Sequence, residues 1–249
     1  AYADFVAQTD AAIGEVLAAL DKQGAAENTF VVFTSDNGSS PSADFPVLKE
    51  KGHNPSHVFR GHKADIYEGG HRVPFFVRWP AKVKGGQISG QLVCLTDFMA
   101  TAAEVVEASL PANAAEDSIS FMPALMGQKD KPVRQLVVHH SIVGNFAIRE
   151  GKWKLALCPG SGGWSEPRPG APLKDGAPAV QLFDLDADIA ETTNVQDKHP
   201  EVVASLTMKL EDIVARGRST AGERQANAVP VDIWKKNVAP KPKAKKKAP

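Results

Sequence analysis

Two polar side chains follow directly after an apolar run near the beginning of the chain. The run Val31-Val32-Phe33 is followed within five residues by Asp36-Asn37-Gly38. A carboxylate and an amide oxygen are ligands that hard divalent cations such as Ca²⁺ prefer, and the absence of an adjoining histidine disfavours zinc or copper. The same residue types also suit a turn. Taken alone, the stretch leaves both a metal site and a plain turn open.

A second polar stretch interleaves basic residues with glycines. Arg60-Gly61-His62-Lys63 is followed by Glu68-Gly69-Gly70-His71-Arg72. Glycines allow the backbone to approach a ligand, and a lysine can meet an anion as a point charge. Glu68 can instead form a structural ion pair with Arg72, and the residue types do not decide between these two interpretations.

Histidines are concentrated in and after the loop that joins these two stretches. Four of the seven in the sequence fall within nineteen residues, namely His53, His57, His62 and His71. Such a cluster predicts a polar pocket, although a lone histidine is usually structural or exposed. His139-His140 ends a predicted strand. The two histidines either contribute to the pocket or are only a structural pair at the end of a strand in the small sheet.

The elements that must position these residues alternate between helix and strand in the first part of the chain. Apolar residues at three- and four-residue spacing predict a helix over residues 2–23, which Gly24 ends. Residues 29–34 are β-branched and aromatic without polar alternation, which predicts a strand buried on both faces, as in a parallel sheet covered by helices. A loop over 39–62, a strand over 73–79 and a helix over 95–108 follow.

The pattern changes after about residue 126. Four short apolar segments predict an antiparallel meander, over residues 136–140, 146–149, 153–157 and 180–184. A Gly-, Pro- and Ser-rich stretch over 158–179 predicts an exposed loop, and a helix to about residue 217 closes the unit. We therefore predict three parts: an α/β portion over residues 1–125, an antiparallel sheet with a helix over 126–220, and an extended, largely disordered Lys/Pro tail over 221–249.

Charge and composition exclude several classes of protein. The 249 residues are neutral overall, but seven of the 29 basic residues lie in 235–249, which leaves 22 basic and 29 acidic residues in the body. An acidic body without a basic stripe argues against a nucleic-acid partner. The sequence has no run of eighteen apolar residues, so we expect no transmembrane segment. The two cysteines, Cys94 and Cys158, provide neither a disulfide framework nor a Cys-x-x-Cys metal pair.

Taken together, four stretches resemble the C-terminal half of a type I sulfatase of the arylsulfatase A-like branch, within the alkaline-phosphatase-like superfamily. They are TFVVFTSDNG (29–38), FRGHKADIYEGGHRVPFFVRWP (59–80), FAIREGKWKLAL (146–157) and QLFDLDADIAETTNV (181–195). The resemblance implies an α/β fold, in which part of an alkaline-phosphatase-like sheet is flanked by helices and is followed by a small C-terminal antiparallel sheet with a closing helix.

The resemblance also implies roles for five residues. Asp36 and Asn37 would supply two ligands of one calcium ion, and Lys63 would contact the sulfate and stabilise charge on the transferred group. His53, on the long loop, and His140, at the end of a C-terminal strand, would line the substrate pocket. The implied reaction is hydrolysis of a sulfate monoester of an aryl or carbohydrate substrate, either a small molecule or a polysaccharide.

One departure from the family pattern is large. The family's nucleophile is a formylglycine made from the cysteine of Cys-x-[Pro/Ala]-x-Arg, whereas Cys94 is followed by Leu-Thr-Asp-Phe. The resemblance therefore implies that the formylglycine and the remaining calcium ligands lie in a missing N-terminal part, and that the isolated chain is inactive. Export to the periplasm or beyond is a family expectation, since no signal peptide is visible in the sequence.

Two other functions are compatible with these residues. A phosphate or phosphonate ester hydrolase of the same superfamily would bind a similar tetrahedral anion. Such phosphatases commonly use Asp-His and paired zinc ions, so Asn37 favours the single-calcium sulfatase. A non-catalytic anion- or glycan-binding protein is the alternative from a different class.

Overall fold

The computed structural model describes residues 2–128, 130–173 and 175–235. Within these residues the helices are α1 (Tyr2–Lys22), α2 (Phe45–Glu50), α3 (Glu68–His71), α4 (Phe98–Val105), α5 (Met122–Leu125) and α6 (Pro200–Arg216). The strands are β1 (Val31–Thr34), β2 (Phe75–Arg78), β3 (Leu136–His140), β4 (Phe146–Glu150), β5 (Trp153–Ala156) and β6 (Gln181–Asp184). No helix in the described ranges is both long and apolar enough to cross a membrane. Residues 236–249 of the predicted tail lie outside them.

The two longest helices begin and end where the sequence predicts. Gly24 and Gly217 follow α1 and α6, and both glycines adopt a left-handed conformation with φ of 65°, as helix-ending glycines do. Pro200 occupies the first turn of α6, where a missing N–H costs nothing. The predicted loop over 39–62 contains the short helix α2, so the prediction of a loop is wrong for Phe45–Glu50.

β1 and β2 form a two-stranded antiparallel sheet in which Phe33 lies opposite Phe76. Both side chains remain exposed, at 36% and 64%. The prediction that β1 is buried on both faces of a parallel sheet is therefore wrong for this pair. Apolar composition alone specifies neither the direction of a strand nor what covers its faces. Beside the pair, the ring of Phe30 packs 5.4 Å from that of Trp79 and 6.4 Å from that of Phe121.

The four remaining strands form an antiparallel meander in the order β3-β4-β5-β6, which confirms the predicted small sheet. Successive side chains of a strand point to opposite faces, so the sheet has two different sides. On one side, apolar side chains of the sheet pack with α6, through Ile148, Leu155, Leu182, Leu206 and Leu210. On the other side, the sheet packs with the segment that precedes α3, through Ala147, Ala156, Phe183, Ile66 and Tyr67. The meander is therefore a layer between α6 and that segment.

A buried ion pair fixes the region around α4 to the beginning of this sheet. Nε of Arg134 donates to Oδ2 of Asp97 over 3.0 Å, and another guanidinium nitrogen donates to the carbonyl oxygen of Asp117 over 2.9 Å. Asp97 has no solvent exposure, and it also accepts the N–H of Cys94 and that of Ile119. The predicted parts 1–125 and 126–220 are thus in direct contact, and the boundary between them stays a prediction.

Candidate functional site

Two turns meet beside the end of β1. The N–H of Gly38 donates to the carbonyl oxygen of Gly70 over 3.0 Å, and the N–H of Lys63 donates to that of Ser39 over 2.9 Å. A Cβ built on Gly38 would collide with the carbonyl oxygen of Gly69, so only glycine fits at this contact. The backbone thereby holds the turn after β1 against the segment 60–71.

Asp36, Asn37 and Lys63 present polar groups on these joined turns. Within the described residues, neither the exposed carboxylate of Asp36 nor Nζ of Lys63 makes a hydrogen bond or an ion pair. Nδ2 of Asn37 donates to the carbonyl oxygen of Gly38 over 3.1 Å, which leaves the amide oxygen as an acceptor for a ligand. The structure therefore brings together the segments that carry these three predicted site residues.

The donor set on the first turn fits part of a calcium site. A calcium ion takes roughly six to eight oxygen ligands, among them carboxylates and amide oxygens, and Asp36 and Asn37 offer one of each. In the described part of the chain, no group of three or more His, Cys, Asp or Glu side chains is arranged to hold a metal ion. Additional ligands are therefore needed to complete a shell.

The two predicted pocket histidines have separate surroundings. His53 is exposed after α2, and its ring centroid lies 5.6 Å from that of Tyr2. His140 ends β3, and its ring centroid lies 5.8 Å from that of Phe146. The turn after His140 reaches the segment of Lys63, since the N–H of Ile142 donates to the carbonyl oxygen of Ala64 over 3.0 Å. No contact of this kind links His53 to that segment within the described residues.

A buried ion cluster that we did not predict lies behind the segment 60–71. Nζ of Lys154, on β5, lies 3.0 Å from Oε1 of Glu68 and 2.8 Å from Oε1 of Glu191. Lys154 and Glu191 have no solvent exposure, and Glu68 has 4%. Oε2 of Glu191 also accepts the N–H of Glu68 over 2.6 Å. The sequence signal for this cluster is a lysine between the apolar residues of a short strand, Trp153–Ala156.

Two arginines extend the cluster at Glu68. Nη1 of Arg149 and Nη1 of Arg72 lie 3.4 Å and 3.5 Å from Oε2 of Glu68, so the Glu68–Arg72 ion pair left open by the sequence is present. Burial alone would raise the pKa of Glu68, but Lys154 and the two arginines together hold it below its usual value. Burial raises the pKa of Glu191, although Lys154 opposes this effect. The two carboxylates therefore share Lys154, and only Glu68 has the two arginines as additional partners.

Asp65 organises part of the loop that follows β5. Its carboxylate accepts the N–H of Trp164 over 2.7 Å and that of Ser165 over 3.0 Å, and it also accepts the hydroxyl of Ser165. Residues 160–163 are buried, so the prediction of an exposed loop over 158–179 is wrong for this portion. Small residues favour turns, but they also let one backbone pack closely on another.

The clustered histidines contact different partners, and His71 pairs with His139. Their ring centroids lie 4.2 Å apart, and Nε2 of His139 lies 3.3 Å from the carbonyl oxygen of Ile66. Burial lowers the pKa of His71 to about 4 and lowers that of His139 well below 6.5, and the Lys154 ammonium acts in the same direction. Both rings are therefore neutral at pH 7, in a structural role beneath the site.

Replacing Lys154 tests how far the fold depends on the ion cluster. We expect Lys154→Met to lower the free energy of unfolding by about 3–5 kcal/mol, because it leaves two buried carboxylates without their shared cation. Urea unfolding measures this change. The matched control is Lys152→Met, which breaks the exposed Lys152–Asp184 pair and is expected to cost less than about 1 kcal/mol. Equal losses in the two variants would contradict the assignment.

The buried histidine pair predicts a loss of stability in mild acid. The unfolded chain protonates these rings below about pH 6.5, whereas folded His71 remains neutral down to about pH 4. The unfolded state therefore binds more protons in this window, and the free energy of unfolding falls as the pH decreases.

The measurement is urea unfolding at several pH values between 7.5 and 5. His71→Gln removes one of the two rings, so we expect a shallower decline than in the wild type. His53→Gln changes an exposed ring and should keep the wild-type decline. A His71→Gln variant that declines as steeply as the wild type would refute this role of the pair.

Known proteins have sequences similar to that of this chain. Residues 1–108 match the family model described as Sulfatase. The chain is 37% identical to an N-acetylgalactosamine-6-O-sulfatase of Bacteroides thetaiotaomicron over 219 residues, which cover 86% of this chain and 42% of that protein.

Solved structures lead to the same family. One, from a study of how Bacteroides thetaiotaomicron metabolises multiple glycosaminoglycans, superposes with a TM-score of 0.70 and 34% identity, over 83% of this chain and 43% of the other. The crystal structure of Ps i-CgsB in complex with k-i-k-neocarrahexaose superposes with a TM-score of 0.62 and 25% identity, over 87% and 43%. The chain thus spans 42–43% of the length of these three proteins. The chain has an alkaline-phosphatase-like fold, and its residues 1–108 match the sulfatase family.

Proposed function

We propose that this chain forms part of an enzyme that hydrolyses sulfate monoesters of carbohydrates. The observation that carries the proposal is the backbone contact between the two turns, which keeps Asp36 and Asn37 beside the segment of Lys63. An anion-binding lysine next to hard oxygen donors suits a sulfate ester that is bound by a metal and a cation together. The N-acetylgalactosamine-6-O-sulfatase relative supports a carbohydrate as the alcohol part.

Each site residue has a role in this proposal. Asp36 and Asn37 would hold calcium through one carboxylate and one amide oxygen, and Lys63 contacts the sulfate and stabilises the negative charge that develops on its oxygens. Bound calcium supplies further electrostatic stabilisation of that charge. His140, whose following turn is bonded to the segment of Lys63, lines the pocket for the alcohol, where a histidine can donate a proton to the leaving oxygen. The same role for His53 rests on the family resemblance alone.

The nucleophile is not provided by these 249 residues. Neither Cys94 nor Cys158 lies in Cys-x-[Pro/Ala]-x-Arg, so neither fits the formylglycine precursor. Burial also raises the pKa of the Cys158 thiol to about 11, which disfavours the reactive thiolate at neutral pH. The relatives contain a region that this chain does not match. We propose that a corresponding region supplies the formylglycine and the remaining calcium ligands. The proposed location is the periplasm or the extracellular space, by analogy with the family.

Calcium titration tests the metal part of the proposal. Two side-chain ligands predict weak binding by this chain, with Kd on the order of 1 mM. Asp36→Ala and Asn37→Ala are each expected to weaken binding at least about tenfold in isothermal titration calorimetry, because each removes one of the few oxygen donors. Asp44→Asn is the control, since it removes an exposed carboxylate from the neighbouring loop. Unchanged affinity in the Asp36 variant would exclude this site.

Turnover is tested with the chain alone and with a hybrid enzyme. The chain alone should release no sulfate, because it lacks the nucleophile. In the hybrid, this chain replaces the matching region of the Bacteroides thetaiotaomicron relative, and we expect sulfate release from a 6-sulfated N-acetylgalactosamine. Lys63→Ala should lower kcat by about 100–1,000-fold, whereas Lys51→Ala, an exposed lysine of the preceding loop, should not.

Two results would contradict the sulfatase proposal. The first is robust hydrolysis of an aryl sulfate by the chain alone, since the chain contains no formylglycine motif. The second is a folded, calcium-binding hybrid that cleaves an aryl phosphate faster than the matching aryl sulfate, which would favour the phosphate ester hydrolase.

A further inference from the structure

The loop after β5 is fastened to both sequence neighbours of Lys63. Oγ of Ser165 lies 3.1 Å from Nε2 of His62, on the N-terminal side of the lysine. A Cβ built on Gly163 would collide with the carbonyl group of Ala64, on its C-terminal side. Backbone atoms of residues 163–165 therefore lie directly against the segment that carries the proposed sulfate-binding lysine.

Internal hydrogen bonds hold this part of the loop in one conformation. The N–H of Ile66 donates to the carbonyl oxygen of Ser161 over 2.7 Å, and the N–H of Ser161 donates to that of Pro167 over 3.0 Å. Oγ of Ser161 accepts the N–H of Gly163 over 3.0 Å, and Asp65 anchors the next two backbone N–H groups. A side chain displayed here binds a ligand with little loss of backbone entropy.

Trp164 is the large side chain that this anchored loop exposes. Trp164 is 41% exposed, although the three residues before it are buried. Within the described residues its indole N–H has no hydrogen-bond acceptor. The turn after β3 places two more exposed apolar residues, Ile142 and Val143, near the segment of Lys63. The N–H of Ile142 donates to the carbonyl oxygen of Ala64.

The loop that exposes the Trp164 indole and the segment of Lys63 are therefore neighbours, and a lysine near an exposed indole has a defined chemical complement. A sulfated pyranose carries an anionic group and a ring whose C–H face is apolar, while its edge carries hydroxyls. The indole combines an apolar face with one polar N–H. We propose that Trp164 is a specificity-determining residue that stacks on a sugar ring of a sulfated oligosaccharide whose sulfate contacts Lys63. This inference rests on the proposed function of Lys63.

Calorimetric binding to the full 249-residue chain in the presence of calcium tests the inference. The probes are a disaccharide that contains 6-sulfated N-acetylgalactosamine, the same disaccharide without sulfate, 4-nitrophenyl sulfate and inorganic sulfate. We expect Trp164→Ala to weaken binding of the sulfated disaccharide about tenfold or more, and Trp164→Phe to weaken it less than about threefold. Binding of inorganic sulfate should be unchanged in both variants.

The variants keep the loop anchored, because Asp65 binds the backbone N–H of residue 164 and not its side chain. Met208→Ala is the remote control. It removes an exposed apolar side chain from a pocket beside Leu136, at the opposite end of β3 from His140. This variant should bind every probe as the wild type does.

The outcomes separate this inference from the proposed function. The inference is overturned if the wild-type chain does not bind the disaccharide, or if Trp164→Ala binds it as the wild type does. An equal loss for 4-nitrophenyl sulfate overturns the assignment to sugars. Lys63→Ala could leave the preference for the sulfated over the unsulfated disaccharide intact, which would refute the role of Lys63. If Trp164→Ala still weakens binding of both disaccharides in that case, the stacking role of Trp164 stands.

Discussion

The ion pairs of Lys154 with Glu68 and Glu191 are the interaction on which the rest of the structure depends. Removing three charges from water costs several kcal/mol per ion, and only close pairing and added hydrogen bonds offset that cost. Glu68 begins α3, so its position also determines where Gly69 and Gly70 lie. Because Gly38 fits directly against these two glycines, the strand that carries Lys154 controls the placement of the turn after β1.

Local patterns in the sequence were sufficient for most of the elements. The periods of α1 and α6, their terminal glycines and the four short strands of the meander are set by neighbouring residues, and all were predicted. The antiparallel pairing of β1 with β2 was not, since direction depends on the path of the intervening forty residues. The ion cluster was also missed, because its hydrogen bonds join residues 86 and 123 positions apart.

The site shows the same division between local and distant information. Residue types and the family resemblance singled out Asp36, Asn37 and Lys63. The hydrogen bonds that join their segments run between backbone atoms, and in residue type they show only through glycines such as Gly38 that the close contact requires. The loop after β5 is rich in Gly and Ser, which predicts an exposed loop, and this prediction is wrong for residues 160–163. Asp65, almost a hundred positions earlier, holds this loop in place by accepting the N–H groups of Trp164 and Ser165, which water would otherwise bind.

The alternation of side chains in the meander has a consequence for how this protein can change over generations. The face towards α6 is apolar, and such a layer accepts exchanges that conserve its volume. The opposite face holds Lys154, whose partners and geometry admit few replacements. One thin sheet therefore separates a layer that tolerates volume-conserving exchanges from a layer in which the loss of a single partner leaves a buried charge unpaired.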